Sequence, residues 1–411
     1  MYTFSIKTLG CKVSQCDADN LAKHLTDLGL QMSENSPELC IVHGCSVTGR
    51  ASQKTAQTIR SLKKRFPSST VILSGCEALL AEKSGKSLQN ADYILTETTK
   101  EAVKKMLDVF GIEATQNNTA HYHNGHTRAF LKIQDGCSQF CSYCIVCRIR
   151  GKERSKAISE VYNEAQELVK QGFKEIVLTG IHLGHYEPSL PELLRKLEKI
   201  EGIARIRLGS VESLETTDEL IELAQSSKKI CHHFHMPLQS GCDRILKAMN
   251  RPYKAVDYLD TVNKIRNTMP NASIGTDLIT GFPGETDEEH QETLAFLEKI
   301  GFARIHIFRY SKRSGTPAAE MPDQVPEDIK IRRSGEIEKL RDKLVLEAYK
   351  GYENKQLRVI WETLEDGYYC GLSDEYIPCK VLAPQKNLSG SITLVKALQA
   401  EPDGLIVELQ S

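Results

Sequence analysis

Strand-like and helix-like segments alternate through most of this 411-residue chain, and the alternation limits the folds that it can adopt. In residues 1–112, each apolar strand-like segment is followed by a segment with helical spacing, such as Leu21, Leu25 and Leu28 after the first strand. Repeated strand–helix units predict a parallel sheet with helices on its faces, and ligands of such sheets collect beyond the carboxyl ends of the strands. The predicted strands are residues 3–9, 39–43, 70–73 and 92–95, and the predicted helices include residues 17–28, 53–66 and 100–109.

A second alternating series follows residues 113–127, which are polar, lack a hydrophobic period and are typical of a linker. Six strand–helix repeats over about 200 residues predict a (β/α)6 barrel or partial barrel, with its active site at the carboxyl ends of the strands. The predicted strands are residues 129–133, 175–179, 204–208, 233–236, 273–279 and 304–310, and the helices between them include residues 158–171, 217–224, 254–268 and 287–300.

The last part of the chain changes to short strands separated by turns. A helical segment over residues 326–349 precedes strand-like segments at residues 357–363, 368–372, 376–382, 391–398 and 404–409, which predict a small, barrel-like all-β domain. The predicted fold class is therefore α/β. It comprises an N-terminal parallel-sheet domain (1–112), the linker (113–127), a partial barrel (128–350) and a C-terminal β domain (351–411).

Three closely spaced cysteines, Cys137, Cys141 and Cys144, follow the first strand of the second series with the spacing C-x3-C-x2-C. Thiolates at such spacing bind soft metal centres, meaning zinc, copper(I) or an iron–sulfur cluster. A closed structural zinc site needs four ligands, and Cys147 would formally supply the fourth. With three ligands, a 4Fe–4S cluster keeps one iron open for a substrate or cofactor. The spacing alone leaves both interpretations open.

Glycine precedes cysteine more often than chance allows, since the composition predicts about one such pair. The pairs are Gly10-Cys11, Gly44-Cys45, Gly75-Cys76, Gly136-Cys137 and Gly241-Cys242. Glycine lets the backbone pass close to a bulky ligand at low steric cost. Cys11, Cys45 and Cys76 each follow one of the first three predicted strands, so we expect them to meet at one edge of the N-terminal sheet. The alternative is that they are inert core cysteines, the role that we assign to Cys16 and Cys40.

Composition excludes some functional classes. The formal net charge is −1, so any contact with nucleic acid must come from local patches rather than from a protein that is basic throughout. The first residues lack the apolar segment of a signal peptide, and no run approaches the ~18 apolar residues of a membrane span. We therefore expect a cytoplasmic protein without membrane contact, in which thirteen cysteines indicate metal or redox chemistry rather than disulfides.

A series of short motifs then occurs in a fixed order along the chain. They are Thr8-Leu-Gly-Cys11-Lys-Val-Ser-Gln15, His43-Gly-Cys45, Ser74-Gly-Cys76, Gln134-Asp-Gly-Cys137 through Cys144, Leu178-Thr-Gly-Ile-His182, Pro237-Leu-Gln-Ser-Gly241, Thr276-Asp277 with Gly281-Phe-Pro-Gly-Glu285, and Tyr310-Ser-Lys-Arg-Ser-Gly-Thr-Pro317. This ordered set resembles the radical S-adenosylmethionine (SAM) methylthiotransferase family over nearly the whole chain. The first and fifth motifs look most like the MtaB-type branch, which modifies N6-threonylcarbamoyladenosine immediately 3′ of the anticodon in tRNA.

The resemblance implies a methylthiotransferase domain, a radical SAM partial barrel and a TRAM domain, in that order. By the same resemblance, Cys137, Cys141 and Cys144 hold a 4Fe–4S cluster whose open iron chelates SAM, and Cys11, Cys45 and Cys76 hold a second 4Fe–4S cluster. One SAM would supply a methyl group to sulfur, and another would be cleaved reductively to a 5′-deoxyadenosyl radical that takes hydrogen from C2 of the adenine. This chemistry needs an electron donor such as flavodoxin or ferredoxin.

The family pattern also implies residues around SAM. Tyr143 is expected near the adenine, and Glu212 matches a polar SAM contact of the family. The other expected contacts lie at predicted strand ends that face the same mouth, namely Thr179, Gly180, Gln239 and Asp277. For each polar residue, the alternative is a structural role in capping or turn formation.

Basic residues follow the three-cysteine loop and recur near the last strand of the series. Beside a mouth meant for tRNA we expect phosphate contacts, although a solvated charge run is the alternative. The residues expected to bind RNA are Arg148, Arg150, Lys152, Arg154, Lys312 and Arg313.

Other functions stay open at this point. Cys147 stands where family members commonly have proline, and Ser14 and Cys16 stand where the MtaB-type branch often has asparagine and tyrosine. The alternative substrates are isopentenyladenosine in tRNA and an aspartate of a ribosomal protein. A function of another class is a non-catalytic RNA-binding protein with a structural metal at Cys137–Cys147.

Overall fold

The computed structural model describes residues 2–85, 90–115 and 125–410, so most of the predicted linker, residues 116–124, lies outside the described residues. The elements of the N-terminal part are β1 (Thr3–Thr8), α1 (Lys12–Asp27), β2 (Gln31–Met32), β3 (Leu39–Gly44), α2 (Gly49–Arg65), β4 (Thr70–Gly75), α3 (Cys76–Ser84), β5 (Tyr93–Leu95) and α4 (Lys100–Val109). The strands pair in parallel in the order β2–β1–β3–β4–β5, which confirms the predicted parallel sheet.

Two features of this sheet differ from the prediction. The two-residue strand β2 was missed because both of its side chains are exposed and carry no apolar pattern. Helix α1 begins at Lys12, five residues before the predicted start, because its first turns bury Ser14, Cys16 and Asp17 rather than leucines. Cys16 and Cys40 are buried, as expected of core residues.

The second series begins with β6 (Ala129–Lys132), β7 (Gln134–Asp135), α5 (Val146–Arg150), β8 (Arg154–Ser155), α6 (Ile158–Lys170), β9 (Glu175–Thr179), α7 (Leu190–Leu197), β10 (Arg205–Leu208) and α8 (Asp218–Ser226). It continues with β11 (His233–His235), α9 (Asp243–Ala248), α10 (Ala255–Thr268), β12 (Ser273–Thr280), α11 (Asp287–Ile300), β13 (Arg304–Arg309), α12 (Pro317–Glu320) and α13 (Glu327–Lys350). Helix α11 begins with a capping box that Thr286 and Glu289 form.

Six of these strands form one curved parallel series. Two three-stranded sheets, β10–β9–β6 and β11–β12–β13, are joined by isolated bridges from Ile206 to Ile230 and from Ser210 to His235. The order β6–β9–β10–β11–β12–β13 follows the chain and confirms the predicted (β/α)6 arrangement, hereafter the partial barrel. Helix α1 of the N-terminal part packs beside β6, where Asp17 pairs with Lys132.

The chain ends in a closed five-stranded barrel, hereafter the C-terminal barrel, which confirms the predicted all-β unit. Its strands are β14 (Gln356–Glu365), β15 (Tyr368–Ser373), β16 (Pro378–Leu382), β17 (Ile392–Glu401) and β18 (Gly404–Leu409). They close in the order β14–β15–β16–β18–β17. The fully buried Trp361 lies in its core and donates its indole N–H to Oγ1 of Thr393 over 2.8 Å. The domain boundaries given above stay predictions.

A buried charge network joins the C-terminal barrel to the partial barrel. Arg205 and Arg207 of β10 are fully buried and both pair with Glu175 of β9. Their remaining N–H groups donate to backbone carbonyls of residues 372–374, at the end of β15 and the start of the turn that leads to β16. Burial acts to raise the pKa of Glu175, but Arg207 and Arg205 lower it to about 2. This network fixes the turn that carries Tyr376.

No helix among the described residues combines the length and the apolar character needed to cross a bilayer.

Candidate active site

A cavity of about 710 Å³ lies within the partial barrel and extends to the carboxyl ends of its strands. The N-terminal sheet contributes Cys11 and Lys12 to its wall, and the C-terminal barrel contributes Tyr376. Most of the remaining wall comes from the partial barrel. A smaller cavity of about 200 Å³ adjoins the first one and shares Tyr143 and Cys144 with it. The three parts of the chain therefore enclose one space.

The three-cysteine loop is held in this wall by backbone contacts. Cys137, Cys141 and Cys144 all line the larger cavity. Gly136 has φ +80°, and a Cβ there would meet the carbonyl oxygen of Lys152 at 2.0 Å. At the other side of the loop, the Ser142 backbone N–H donates to the carbonyl of Met249 over 3.0 Å. Gly136 is therefore required by the fold of the loop itself, rather than by the approach of a bulky ligand.

Two buried side chains that were not predicted from the sequence contact these sulfurs. Arg251 donates from Nη1 to Sγ of Cys141 over 3.3 Å and forms an ion pair with Glu212. Nδ1 of His182 lies 3.6 Å from Sγ of Cys137, and its Nε2 lies 2.6 Å from Oε1 of Glu215. Burial acts to lower the pKa of His182, but its contacts with Cys137 and Glu215 raise it to about 10. Both contacts favour negative charge on the sulfurs.

A second group of cysteines lies at the edge of the N-terminal sheet. Cys11, Cys45 and Cys76 follow β1, β3 and β4, which are neighbours in the sheet, and Cys11 lines the cavity. A Cβ at Gly10 would lie 3.2 Å from Cβ of Cys45, so the segments that carry Cys11 and Cys45 are in contact. Electrostatic repulsion from Cys11 also contributes to the raised pKa values of Cys45 and Cys76. Burial is the largest cause in both cases and raises the pKa of Cys76 to about 11. The predicted meeting of these cysteines is therefore observed.

The grouping of the cysteines bears on the choice between a zinc ion and a cluster. Across residues 2–85, 90–115 and 125–410, no set of three or more metal-binding side chains with ligand atoms within 4.8 Å of one another contains more than one cysteine. A tetrahedral zinc ion with Zn–S bonds of about 2.3 Å would hold its sulfurs closer together than this. Cys147, the possible fourth zinc ligand, is buried, and its thiol donates to the carbonyl of Cys144 over 3.5 Å. Each donor set therefore offers three thiolates, and the described residues do not form a compact four-cysteine site around the loop.

All of the predicted SAM-contact residues lie on the cavity. They are Tyr143, Thr179, Gly180, Glu212, Gln239 and Asp277. Gln239 has φ +69°, an uncommon conformation for a non-glycine residue, and its backbone bonds on both sides to β12. A Cβ at Gly180 would meet Oε1 of Gln134 at 2.9 Å, so this glycine permits close packing under the cavity wall. Their contacts with SAM stay predictions.

The cations predicted to bind RNA do not share one environment. Arg148, Lys152 and Arg154 are exposed, as is Lys312, while the partly buried Arg313 donates to Oγ of Ser52 over 3.1 Å. Arg150 is buried, so the expectation of a phosphate contact was wrong for this residue. The run of cations gave no indication of this, because burial depends on partners that are distant in sequence.

Arg150 instead connects the N-terminal sheet to the partial barrel. Its Nε donates to Sγ of Cys76 over 3.3 Å, and its other nitrogens pair with Asp17 and Asp135 at 2.9 Å. Lys132 pairs with the same two carboxylates. The network joins α1, the β6–β7 segment and the end of α5 around one of the proposed cluster ligands.

Replacing Arg150 by methionine is expected to destabilise the protein, because Asp17 would keep only Lys132 as a cationic partner and Asp135 only Lys132 and the exposed Arg154, which lies 4.0 Å away. Breaking a buried ion pair on one side costs about 3–5 kcal/mol. For a chain of this length the melting temperature should fall by about 3–6 °C, measured anaerobically at one scan rate. Arg148→Met is the matched control, since Arg148 is an exposed arginine of the same run of cations. Equal melting temperatures for both variants would contradict the structural role of Arg150.

A six-stranded partial barrel with a three-cysteine loop after its first strand is the arrangement of the radical SAM class. The profile of the radical SAM superfamily matches residues 131–297, and the profile described as uncharacterized protein family UPF0004 matches residues 3–96. The fold is similar to that of the radical S-adenosylmethionine methyltransferase TsrM from Kitasatospora setae. The TM-score is 0.53 and the identity 14%, over 78% of this chain and 77% of that chain. At this identity the likeness shows the fold alone.

Curated relatives extend over nearly the whole chain. It is 35% identical to the threonylcarbamoyladenosine tRNA methylthiotransferase MtaB of Bacillus subtilis (strain 168), over 97% of this chain and 94% of that protein. It is 33% identical to the protein of the same name from Thermotoga maritima, over 99% of this chain and 96% of that protein. The tRNA-2-methylthio-N(6)-dimethylallyladenosine synthase of Clostridium tetani is 35% identical, over 88% of this chain and 85% of that protein. The chain belongs to the radical SAM methylthiotransferase family.

Proposed function

We propose that this protein is a tRNA methylthiotransferase that acts on C2 of N6-threonylcarbamoyladenosine beside the anticodon. The observation that carries the proposal is a single cavity whose wall contains both Cys11 and the three-cysteine loop. A reaction that joins a sulfur group to an unactivated carbon needs both centres to face one substrate position. The MtaB relatives from Bacillus subtilis and Thermotoga maritima support this choice of nucleoside.

We propose that Cys137, Cys141 and Cys144 hold a 4Fe–4S cluster that binds SAM, and that Cys11, Cys45 and Cys76 hold a second 4Fe–4S cluster. When bound, these groups supply the one-electron chemistry and the methylthio group that side chains lack, since C2–H of adenine is inert to acids and bases. Members of this family use iron–sulfur and SAM chemistry, and each donor set offers three thiolates, the number that leaves one iron of a 4Fe–4S cluster open; both facts support the proposal.

The chain's own residues position and enclose the reactants. Arg251 donates to Cys141 and pairs with Glu212, so it fixes the loop relative to the expected SAM contacts. Arg150 makes the equivalent contact with Cys76. Buried walls from the N-terminal sheet and the C-terminal barrel keep water from the reacting atoms, and they hold the base near both centres.

The proposed partners follow from this function. Exposed Arg148, Lys152, Arg154 and Lys312, with Arg313, would contact phosphates of the anticodon stem-loop. A reductant such as flavodoxin or ferredoxin would supply electrons. Because tRNA is the substrate, we propose that the protein works in the cytoplasm.

The closest competing substrate is isopentenyladenosine in tRNA, because relatives named for dimethylallyladenosine are as similar to this chain as those named for threonylcarbamoyladenosine. An aspartate of a ribosomal protein is a further alternative. A deletion strain separates these possibilities, since each predicts the loss of a different methylthio product.

We expect tRNA from the deletion strain to lack 2-methylthio-N6-threonylcarbamoyladenosine and to accumulate its unmodified precursor, as measured by mass spectrometry of nucleosides. Methylthio-isopentenyladenosine should be unchanged and serves as the internal control. Loss of the isopentenyl product alone would mean that the substrate is isopentenyladenosine rather than N6-threonylcarbamoyladenosine. Unchanged tRNA would refute a tRNA substrate altogether. Complementation with the intact gene should restore the product.

A further inference from the structure

The inner end of the cavity lies away from the three-cysteine loop and has its own set of side chains. Along β13, Arg304, His306 and Phe308 line the cavity, as expected of alternate residues that point to one face of a strand. Phe308 lies nearest the carboxyl ends of the strands, and Arg304 lies at the other end of this column, about 13 Å away. His233, the first residue of β11, and Tyr376 complete the inner end.

This inner end carries positive charge that the protein does not neutralise. Nζ of Lys12 lies 5.2 Å from the centre of the Tyr376 ring, and Cζ of Arg304 lies 5.0 Å from it. Arg128 and Arg207 are also near this ring, but both have acidic partners in Glu175 or Glu362. Within the described ranges, neither Lys12 nor Arg304 has a carboxylate within 4.0 Å, and the one side-chain hydrogen bond found for Arg304 runs from Nε to the neutral acceptor Nε2 of His306 over 3.2 Å. Charges that line a cavity are normally paired, so these two cations favour an anionic ligand at this end of the cavity.

The remaining ionisable groups of this region do not neutralise Lys12 and Arg304. Asp277 also lines the cavity, but its Oδ1 lies 3.2 Å from Nε2 of His235. Burial acts to raise the pKa of Tyr376, but Lys12, Arg128 and Arg304 together hold it below its usual value. The phenol therefore reports a positive potential at this end of the cavity.

An unpartnered buried side chain is a second, independent indication of a ligand. His233 is 3% exposed and lines the cavity, yet neither of its ring nitrogens has a hydrogen-bond partner in the described structure. Its ring stacks on Tyr376 with centroids 4.6 Å apart. A buried imidazole without a partner is costly, and a polar group of a bound molecule would satisfy it.

We propose that this inner end is an anion subsite in which Lys12 and Arg304 bind the carboxylate of the threonylcarbamoyl group, with His233 as a further hydrogen-bond partner. The inference rests on the proposed function and adds the residues that select the substrate. An isopentenyl group in the same place would leave two cations and an imidazole unpaired. Sites built around polar groups reject analogues that lack the partner far more strongly than apolar pockets reject an extra group.

A carboxylate fits this place better than a backbone phosphate does. The subsite lies at the inner end of the cavity, beneath the turn between β15 and β16, whereas phosphates of a folded RNA run along the protein surface. Arginine binds a carboxylate through two parallel N–H donors, which gives a directional contact to a single group. The other proposed RNA contacts are exposed, apart from the partly buried Arg313, and none of them lines this cavity.

The test compares holoprotein variants on two stem-loop RNAs. One RNA carries N6-threonylcarbamoyladenosine, and the other carries the same nucleoside with its carboxylate converted to a carboxamide. We expect wild-type kcat/KM to fall by about 10- to 100-fold on the amide, as for loss of a hydrogen bond to a charged group. Arg304→Met and Lys12→Met should lose a similar factor on the acid RNA, mainly through KM, and little on the amide. For these variants, the ratio of kcat/KM on the acid RNA to kcat/KM on the amide RNA should approach one.

Three controls keep the test interpretable. Lys170→Met, at an exposed position on α6, should keep the wild-type preference. Lys12 adjoins Cys11, so iron content must match the wild type for that variant, whereas Arg304 lies apart from the cysteines in sequence and gives an independent answer. Free N6-threonylcarbamoyladenosine, which has no phosphate, should compete with RNA for the wild type and compete less well for Arg304→Met.

Two outcomes would overturn the subsite, and a third would refute the proposed function. A preference for the acid that survives in Arg304→Met would overturn the subsite. Equal weakening of both RNAs would also overturn it, because the cations would then bind backbone phosphate. Wild-type protein that modifies isopentenyladenosine RNA and neither of these two would refute the proposed function, and the subsite with it.

Discussion

Replacing Cys141 by alanine is expected to lower the iron content from about eight to about four per chain, since each of two proposed 4Fe–4S clusters would carry four. Formation of 5′-deoxyadenosine and transfer of the methylthio group should both fall below detection. The reason is that the Cys141 sulfur, with Cys137 and Cys144, lines the cavity and receives the Arg251 contact. Iron and sulfide analysis after anaerobic purification, followed by product analysis, measures both effects.

The controls for this prediction come from the other cysteines. Cys370→Ala, on strand β15 of the C-terminal barrel, should leave the iron content and both products unchanged. Cys147→Ala tests the zinc alternative directly, because a closed zinc site needs a fourth ligand whereas an open cluster does not. Colourless wild-type protein that contains zinc, or full activity in Cys141→Ala, would exclude a radical SAM function.

Replacing Cys76 by alanine should separate the two halves of the reaction. We expect the loss of about four irons, retention of SAM cleavage to 5′-deoxyadenosine, and no methylthiolated product. Cys76 follows β4 beside Cys11 and Cys45, on a different sheet from the three-cysteine loop, so the partial barrel keeps its own ligands. The measurement is the ratio of 5′-deoxyadenosine to methylthio nucleoside under single-turnover conditions.

Cys40→Ala is the matched control for Cys76, because Cys40 is a fully buried cysteine in the same sheet that lies within β3 rather than after a strand. It should retain the iron and both products, with some loss of stability from the cavity that it creates. Unchanged iron in Cys76→Ala would mean that the N-terminal triad holds no cluster, and methylthiolation would then need another sulfur source.

Local sequence patterns predicted the elements of this fold well. Helix α4 has the expected bounds, Lys100–Val109, because Thr99 caps it by accepting the Ala102 N–H over 3.2 Å. Strand β9 and helix α11 were also placed correctly, since each has its own periodicity and end signals. The cysteines could be placed together because the carboxyl ends of neighbouring parallel strands share one edge.

The contacts between distant parts of the chain could not be predicted in this way. Arg150 sits in a run of cations, and only the packing of α1 against β6 shows that it is buried. Arg251 has no local signal of its contact with Cys141, since the two are far apart in sequence. The glycine pairs were counted correctly but interpreted incompletely: Gly75, at φ +81°, meets Gly44 and His43 rather than open space.

Tyr376 connects the C-terminal barrel with the active-site cavity. Arg205 and Arg207 hold the turn that carries this residue against the partial barrel. The C-terminal barrel therefore forms part of the cavity wall. The C-terminal barrel therefore cannot be exchanged without an effect on the cavity. In a chimera that carries the corresponding barrel of a relative, a changed fit of this turn against Arg205 and Arg207 would also displace Tyr376 in the cavity wall, so barrel packing and the shape of the active site would change together.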